Sequence, residues 1–71
     1  MRGWLLEERE KKGLSQAEMA KRIGISESYY SLIEAGRRQR RMDITLVSKL
    51  SSILDLPLGR VIDLEMQKGG G

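Results

Sequence analysis

The amino-acid sequence predicts an all-α fold of five short helices built around one core. Apolar residues recur at helical spacing in several segments, and serine or aspartate precedes segments that glycine or aspartate follows, which is how helices begin and end. The 71 residues include neither cysteine nor histidine, so no disulfide framework or thiolate metal site is available. Packed helices must therefore provide the stability.

The length of the chain limits what it can do. A domain of this size buries only about 60% of its unfolded surface, which makes a deep catalytic cleft unexpected. We expect one domain over residues 1–66 and a disordered tail, QKGGG, over residues 67–71. No apolar run approaches the roughly 20 residues that span a bilayer, and the start turns acidic too soon for a signal peptide, so we expect a cytoplasmic protein with no membrane contact.

The first helix is predicted over residues 4–12, WLLEEREKK, with i,i+4 Glu–Lys pairs on its outer side and Gly13 after its end. The second begins with the best signal in the chain. Residues 15–18, SQAE, match the capping box S-x-x-E, and Leu14 and Met19 stand where a hydrophobic staple is found. This helix should run to Gly24, which can turn the backbone at no steric cost.

A third helix should begin almost at once, because Ser26 is a good N-cap only two residues after Gly24. Ile25 and Tyr30 repeat the staple, and the helix should end at Ala35 and Gly36. Two short helices joined by such a turn make a helix-turn-helix, whose second member enters the DNA major groove while the first crosses the backbone.

Two more helices follow the polar loop RRQRRM. Asp43 is the expected N-cap for residues 44–54, and Asp55 can take the left-handed stop position. Pro57 can begin a helix, so residues 57–66 are predicted as the fifth. The apolar residues of the fourth helix that stand at helical spacing are Ile44, Val47, Leu50 and Leu54.

Positive charge is concentrated directly after the third helix. The formal net charge is +3, and residues 1–36 are balanced, whereas four arginines occupy five positions of the loop. Such a run is usually a solvated surface, but next to a groove-reading helix it favours phosphate contact. On the third helix itself, Ser28, Ser31 and Leu32 lie roughly opposite the apolar side, so the outward face carries almost no charge.

The pattern GLSQAEMAKRIGISESYYSLIEAGRR resembles the phage-repressor and Cro-like helix-turn-helix family, also called the xenobiotic-response-element type. The five-helix plan extends the resemblance over about residues 4–64. It implies a compact lambda-repressor-like fold and a sequence-specific, double-stranded DNA-binding transcription regulator, a repressor or an autoregulatory controller, that needs no cofactor. No residue constellation points to catalysis or to a metal, so we do not expect an enzyme.

The resemblance also implies roles for particular residues. A phosphate contact falls on Gln16, and a salt bridge between the first helix and the end of the third falls on Arg9 and Glu34. The base-reading positions fall on Glu27, Ser28, Tyr29 and Leu32. The loop that grips the DNA backbone supplies Arg37, Arg38, Arg40 and Arg41.

Several of these residues have a second interpretation. Glu27 can accept a hydrogen bond from cytosine or simply favour the helix dipole, which is the stronger interpretation. Tyr29 can stack on a sugar, bond a phosphate or cover the edge of the core. Leu32 can meet a thymine methyl group or be an ordinary exposed leucine, and Gln16 can be an ordinary polar residue of a first helical turn.

We expect a homodimer on a palindromic operator, because the fifth helix has more apolar residues than it can bury on four others. The expected contact residues are Leu58, Val61, Ile62, Leu64 and Met66. In the alternative, only Leu64 and Met66 protrude and the chain is a monomer that pairs on DNA. A rival function is a protein-binding module of the same fold, such as an antitoxin or a regulator's partner, with little or no DNA binding.

Overall fold

The computed structural model describes residues 1–69, with the side chains of residues 1–67, as five α-helices and a short π-helical turn. The turn, Glu65–Gly69, continues directly from the last helix. The helices are α1 (Gly3–Lys11), α2 (Gln16–Ile23), α3 (Glu27–Glu34), α4 (Ile44–Leu54) and α5 (Leu58–Leu64). Residues 1–69 include no strand, which confirms the predicted all-α class.

Local hydrogen bonds define the helix-turn-helix. Both halves of the capping box form: Ser15 Oγ accepts from the Glu18 amide at 3.1 Å, and the Ser15 amide donates to the Glu18 carboxylate at 2.9 Å. The bond from the Ser15 amide is the main reason that the pKa of Glu18 lies below its ordinary value. Gly24 ends α2 with φ +92°, and Ser26 Oγ accepts from the Tyr29 amide at 3.1 Å to begin α3.

The boundaries of α4 also follow from the sequence. Asp43 caps its start by accepting from the Leu46 amide at 2.7 Å, and Asp55 takes the left-handed conformation at its end, with φ +58°. Ile44 stands at helical spacing with Val47, Leu50 and Leu54 but is 67% exposed, and Leu46 is buried instead. At about 100° per residue, the first position of α4 falls outside the face that Leu46 shares with the later apolar residues.

The core is formed where all five helices meet. Helix α2 packs against α3 and α4, α5 packs against α4, and α1 packs against α3 and the C-terminal turn. This arrangement supports α3 from behind and leaves its other side open. The buried apolar residues are Trp4, Leu5, Leu14, Met19, Ala20, Ile23, Tyr30, Ile33, Leu46, Val47, Leu50, Leu54, Val61 and Leu64.

The C-terminal turn overlaps the predicted tail. Residues 67–69 belong to the turn, and residues 70–71 lie outside the described residues, so the disorder of residues 67–71 stays a prediction. None of the helices within residues 1–69 has the length and apolar character needed to cross a membrane.

Candidate nucleic-acid interface

The outward face of α3 is a shallow surface of small and uncharged side chains with one carboxylate at its leading end. Ser28 is exposed and Leu32 is half-buried. The residues that line one open depression on this face are Glu27, Ser28, Ser31 and Leu32. Three of these are predicted base-reading residues, and Ser31 joins them as a fourth that the sequence places on the same face. The carboxylate of Glu27 lies in the first turn of α3, where the helix dipole favours negative charge.

Tyr29 lies apart from this depression. Its ring packs against the core and lines a separate cavity between α3 and α4, together with Ile25 and Lys49. Its hydroxyl accepts a hydrogen bond from Gln39 Nε2 at 3.0 Å, which links α3 to the following loop. The structure therefore places Tyr29 at the edge of the core, and its contact with DNA stays a prediction.

An ion pair joins α1 to the end of α3. Arg9 Nε lies 2.9 Å from Glu34 Oε2, and the Nη2 atom of Arg9 donates to Glu34 Oε1 at 3.2 Å. Both side chains are largely shielded from solvent, with Glu34 only 3% exposed. Arg9 also donates to the Leu14 carbonyl at 2.8 Å, so the guanidinium contacts the segment just before α2 as well.

Two further side chains converge on Glu34. The Tyr30 hydroxyl donates to Oε2 at 2.7 Å, and Gln16 Nε2 donates to Oε1 at 3.1 Å. The amide nitrogen of Gln16 carries two N–H bonds, so the contact with Glu34 uses one donor and leaves the second for another acceptor. Gln16 is half-buried at the start of α2, next to the end of α3.

These bonds keep Glu34 ionised. Burial alone would raise the pKa of Glu34, but hydrogen bonds from Arg9, Tyr30 and Gln16 outweigh burial and lower that pKa. The same bond to Glu34 raises the pKa of Arg9, and burial followed by the bond to Glu34 raises the pKa of Tyr30. Within residues 1–69, acidic side chains do not gather into a group of three that could hold a metal ion.

The loop after α3 exposes all four arginines on either side of one half-buried residue, Gln39. Gln39 has φ +55°, donates to Tyr29 and accepts from the Asp43 amide at 3.3 Å. The arginine pair before Gln39 follows the end of α3, where the Arg37 amide donates to the Leu32 carbonyl at 2.8 Å. The pair after it, Arg40 and Arg41, instead lines a cavity beside α5.

Sequence reasoning missed two residues that organise this region, Gln39 and Arg2. Arg2 is 1% exposed and donates to Glu65 and to three main-chain carbonyls at and after the end of α3. An arginine at the second position belongs to no apolar period and no capping pattern. No signal in the sequence could therefore have identified its partner, which lies 63 residues away.

The predicted dimer contact needs correction. Val61 and Leu64 are 0% and 5% exposed, because they form the side of α5 that packs into the core, so neither is available to a second copy. The alternative prediction is wrong about Leu64 for the same reason, since it has this residue protruding, and the oligomeric state stays a prediction. The exposed apolar residues near the C-terminus are Leu58, Ile62 and Met66, at 42%, 38% and 75%.

Comparison with protein families gives one result. The helix-turn-helix model HTH_3, of the Cro/C1 type, matches residues 5–61, which is most of the chain. The match includes all of α2 and α3 and the loop of residues 37–41, here called the arginine loop. Comparisons with curated proteins and with solved structures found no match. Proteins of this family are in general DNA-binding regulators of transcription. The chain belongs to the Cro/C1-type helix-turn-helix family.

Proposed function

We propose that this chain is a sequence-specific regulator of transcription, acting in the cytoplasm as a repressor or autoregulatory controller, that inserts α3 into the major groove. One observation carries the proposal: the outward face of α3 presents Ser28, Ser31 and Leu32, and exposed arginines follow directly at its end. A face of small, mostly uncharged side chains can approach base edges closely, while the arginines neutralise the phosphates on either side of the groove.

Each group has a distinct part in the proposed complex. Arginine guanidiniums and the second N–H of Gln16 bond phosphates, which fixes the orientation of α3 but reads no sequence. The Ser28 hydroxyl reads base edges, and Leu32 meets thymine methyl groups. Glu27 accepts from cytosine N4 where the operator offers one and otherwise favours the helix dipole.

We further propose that two copies bind a palindromic operator. One small module buries only about 600–1,000 Å² on DNA, and a symmetric pair doubles the number of base contacts. The two α3 helices would then read half-sites roughly 34–36 Å apart. The exposed apolar side chains of Leu58, Ile62 and Met66 are the surface through which the copies would pair.

A second candidate function has its own observation. The cavity beside α5, about 420 Å³, combines apolar side chains with the exposed pair Arg40 and Arg41. The apolar residues that line it are Met42, Val47, Ile62 and Met66. A partner protein seated there would engage half of the arginine loop, as expected of an antitoxin or of a regulator's binding partner.

A titration against random duplex DNA at moderate salt separates the two functions. A DNA regulator of this kind binds random duplex with a Kd of about 10⁻⁴–10⁻⁶ M. The logarithm of its affinity falls linearly with the logarithm of the salt concentration. Selection of bound duplexes from a random pool then identifies the operator. A chain that ignores random duplex and enriches no sequence would contradict the proposal and favour the protein-binding module.

A further inference from the structure

We propose that Arg2 is a positioning residue for the DNA interface, which holds both the end of α3 and the arginine loop, and that Glu65 keeps it in place. This inference rests on the proposed DNA-binding function. Arg2 itself is 1% exposed and cannot reach DNA in this arrangement. It acts through the main chain at the end of α3 and in the loop that carries the four arginines.

The first set of contacts caps α3. The last carbonyls of a helix have no partner within the helix, and they carry the negative end of its dipole. The Arg2 amide donates to the Glu34 carbonyl at 2.8 Å, and Arg2 Nη1 donates to the Ile33 carbonyl. The main-chain amide and the guanidinium of Arg2 each satisfy one of these carbonyls, and the positive charge favours the dipole, so Arg2 holds the end of α3.

The second set of contacts reaches the loop. Arg2 Nη1 donates to the Arg38 carbonyl at 3.0 Å, and Nη2 donates to the Gln39 carbonyl. These two carbonyls lie in the middle of the run of arginines. Because Gln39 has a left-handed backbone, its conformation is costly for a side-chain-bearing residue and needs such support. Arg2 thereby sets the direction in which the two arginine pairs leave the protein.

Glu65 supplies the charge that lets Arg2 be buried. Arg2 Nε lies 2.9 Å and 3.0 Å from the two carboxylate oxygens of Glu65, and Trp4 Nε1 donates to Oε1 at 3.0 Å. A buried guanidinium without a partner is strongly unfavourable, whereas one that is paired and hydrogen-bonded is tolerated. The described C-terminal turn is therefore joined to the DNA-facing loop through a single guanidinium.

A lysine cannot reproduce this arrangement. The guanidinium is planar and has five donors that point in fixed directions, and here they serve a carboxylate and three carbonyls at once. An ammonium group has its three donors at one point. Arg2→Lys therefore keeps the net charge of the protein and removes most of the bonds to α3 and the loop.

The test compares wild type with Arg2→Lys, and uses Lys11→Arg as a charge-preserving control at an exposed position of α1. In the free protein, amide hydrogen exchange of residues 36–42 should become at least about tenfold faster in Arg2→Lys, because the loop loses its anchors. On random duplex, affinity should fall about tenfold, and the salt slope should fall by roughly 0.9 for each phosphate that is no longer bound. Lys11→Arg should match wild type in both measurements.

The measurements are made well below the melting midpoint of each variant, so that the folded form predominates in all of them. Arg2→Lys with an unchanged salt slope and affinity would reduce Arg2 to a structural residue and overturn the proposal. Unchanged exchange in the loop would overturn it whatever the DNA result. Wild-type protein that binds no duplex would instead overturn the proposed function, and the exchange rates distinguish the two failures. Should Arg2→Lys not fold, Glu65→Gln carries the same comparison.

Discussion

The hydroxyl of Tyr30 lies 2.7 Å from Glu34 Oε2, one helical turn further along α3, and Arg9 Nε reaches the same oxygen at 2.9 Å. Gln16 completes the set from α2. One buried carboxylate thus accepts bonds from α1, α2 and α3, which fixes the angle between the two helices of the motif and their position on α1. The geometry of the proposed DNA interface depends on this one side chain.

Breaking the ion pair on one side should therefore cost more than removing it altogether. We expect Arg9→Met to lower the free energy of unfolding by about 3–5 kcal/mol, because Glu34 is left buried with its charge partly unpaired. The double variant Arg9→Met, Glu34→Met should be more stable than Arg9→Met. Urea unfolding followed by circular dichroism measures both differences, and a double variant no more stable than Arg9→Met would contradict this account.

Tyr30→Phe tests the third bond separately, since it removes only the hydroxyl from a fully buried ring. A hydrogen bond to a charged group contributes about 1.5–3 kcal/mol, and we expect a loss of that size in the free energy of unfolding. Tyr29→Phe is the matched control, because the Tyr29 hydroxyl accepts only from the uncharged side-chain amide of Gln39. Its loss should lower the free energy of unfolding by less. Equal losses in the two variants would show that Glu34 gives Tyr30 no special role.

Stability should fall in acid because of Glu34. Its folded pKa is lowered from an ordinary value near 4.5, so its contribution is complete above that value and is lost as pH falls through the folded pKa. Urea midpoints measured between pH 7 and pH 2 should be flat at first and then decline below about pH 4.5. Glu34→Gln should be less stable at pH 7 and should decline less, with Glu18→Gln as a comparison for the exposed capping-box carboxylate, whose pKa is also lowered. A decline of equal size in Glu34→Gln and wild type would contradict the assignment.

The arginine loop should determine how binding responds to salt. Replacing Arg37 and Arg38, or Arg40 and Arg41, with glutamine should weaken operator and random duplex alike, with the salt slope lower by roughly 0.9 for each phosphate that the variant no longer binds. The two pairs have different surroundings, so the comparison also shows whether the pair beside α5 reaches DNA. Lys12→Gln with Arg60→Gln removes the same charge from exposed positions elsewhere on the surface. A quadruple arginine variant with an unchanged slope would refute the role of the loop.

Base readout should reside in the depression on α3. Ser28→Ala and Leu32→Ala should alter which operator is preferred, with losses on the order of 1–3 kcal/mol at particular base pairs. Competition among operators carrying single base changes measures the preference, and Ser48→Ala, exposed on α4, should leave it unchanged. If Leu32→Ala chiefly lowers the melting temperature, this half-buried leucine belongs to the core instead.

Dimer formation should depend on the exposed part of α5. Ile62→Glu should shift the protein toward monomer in sedimentation at micromolar concentration and weaken binding to a palindromic operator, because a charge at an apolar contact is unfavourable. Ile44→Glu is the matched control, since Ile44 is an exposed isoleucine at the start of α4. Wild-type protein that stays monomeric and binds the palindrome without cooperativity would rule out the dimer.

The sequence alone determined the boundaries of α2, α3 and α4 and the motif, because the interactions that set them join residues close together in the chain. The capping box joins Ser15 and Glu18, and Asp43 bonds an amide three residues later. The left-handed residues that end α2 and α4, Gly24 and Asp55, depend on local backbone preference. The outward face of α3 followed in the same way from helical spacing.

Tertiary structure alone decided which neighbour each face meets. The sequence shows that α5 has several apolar residues, but only the docking of α5 on α4 decides which of them are buried. Val61 and Leu64 are buried there, whereas Ile62 is exposed. The pairing of Arg2 with Glu65 crosses nearly the whole chain, and it exists because folding brings the start of α1 against the C-terminal turn. A hydrogen bond between such distant residues leaves no periodic trace, since neither side chain belongs to an apolar repeat and the Arg2 side chain does not cap α1.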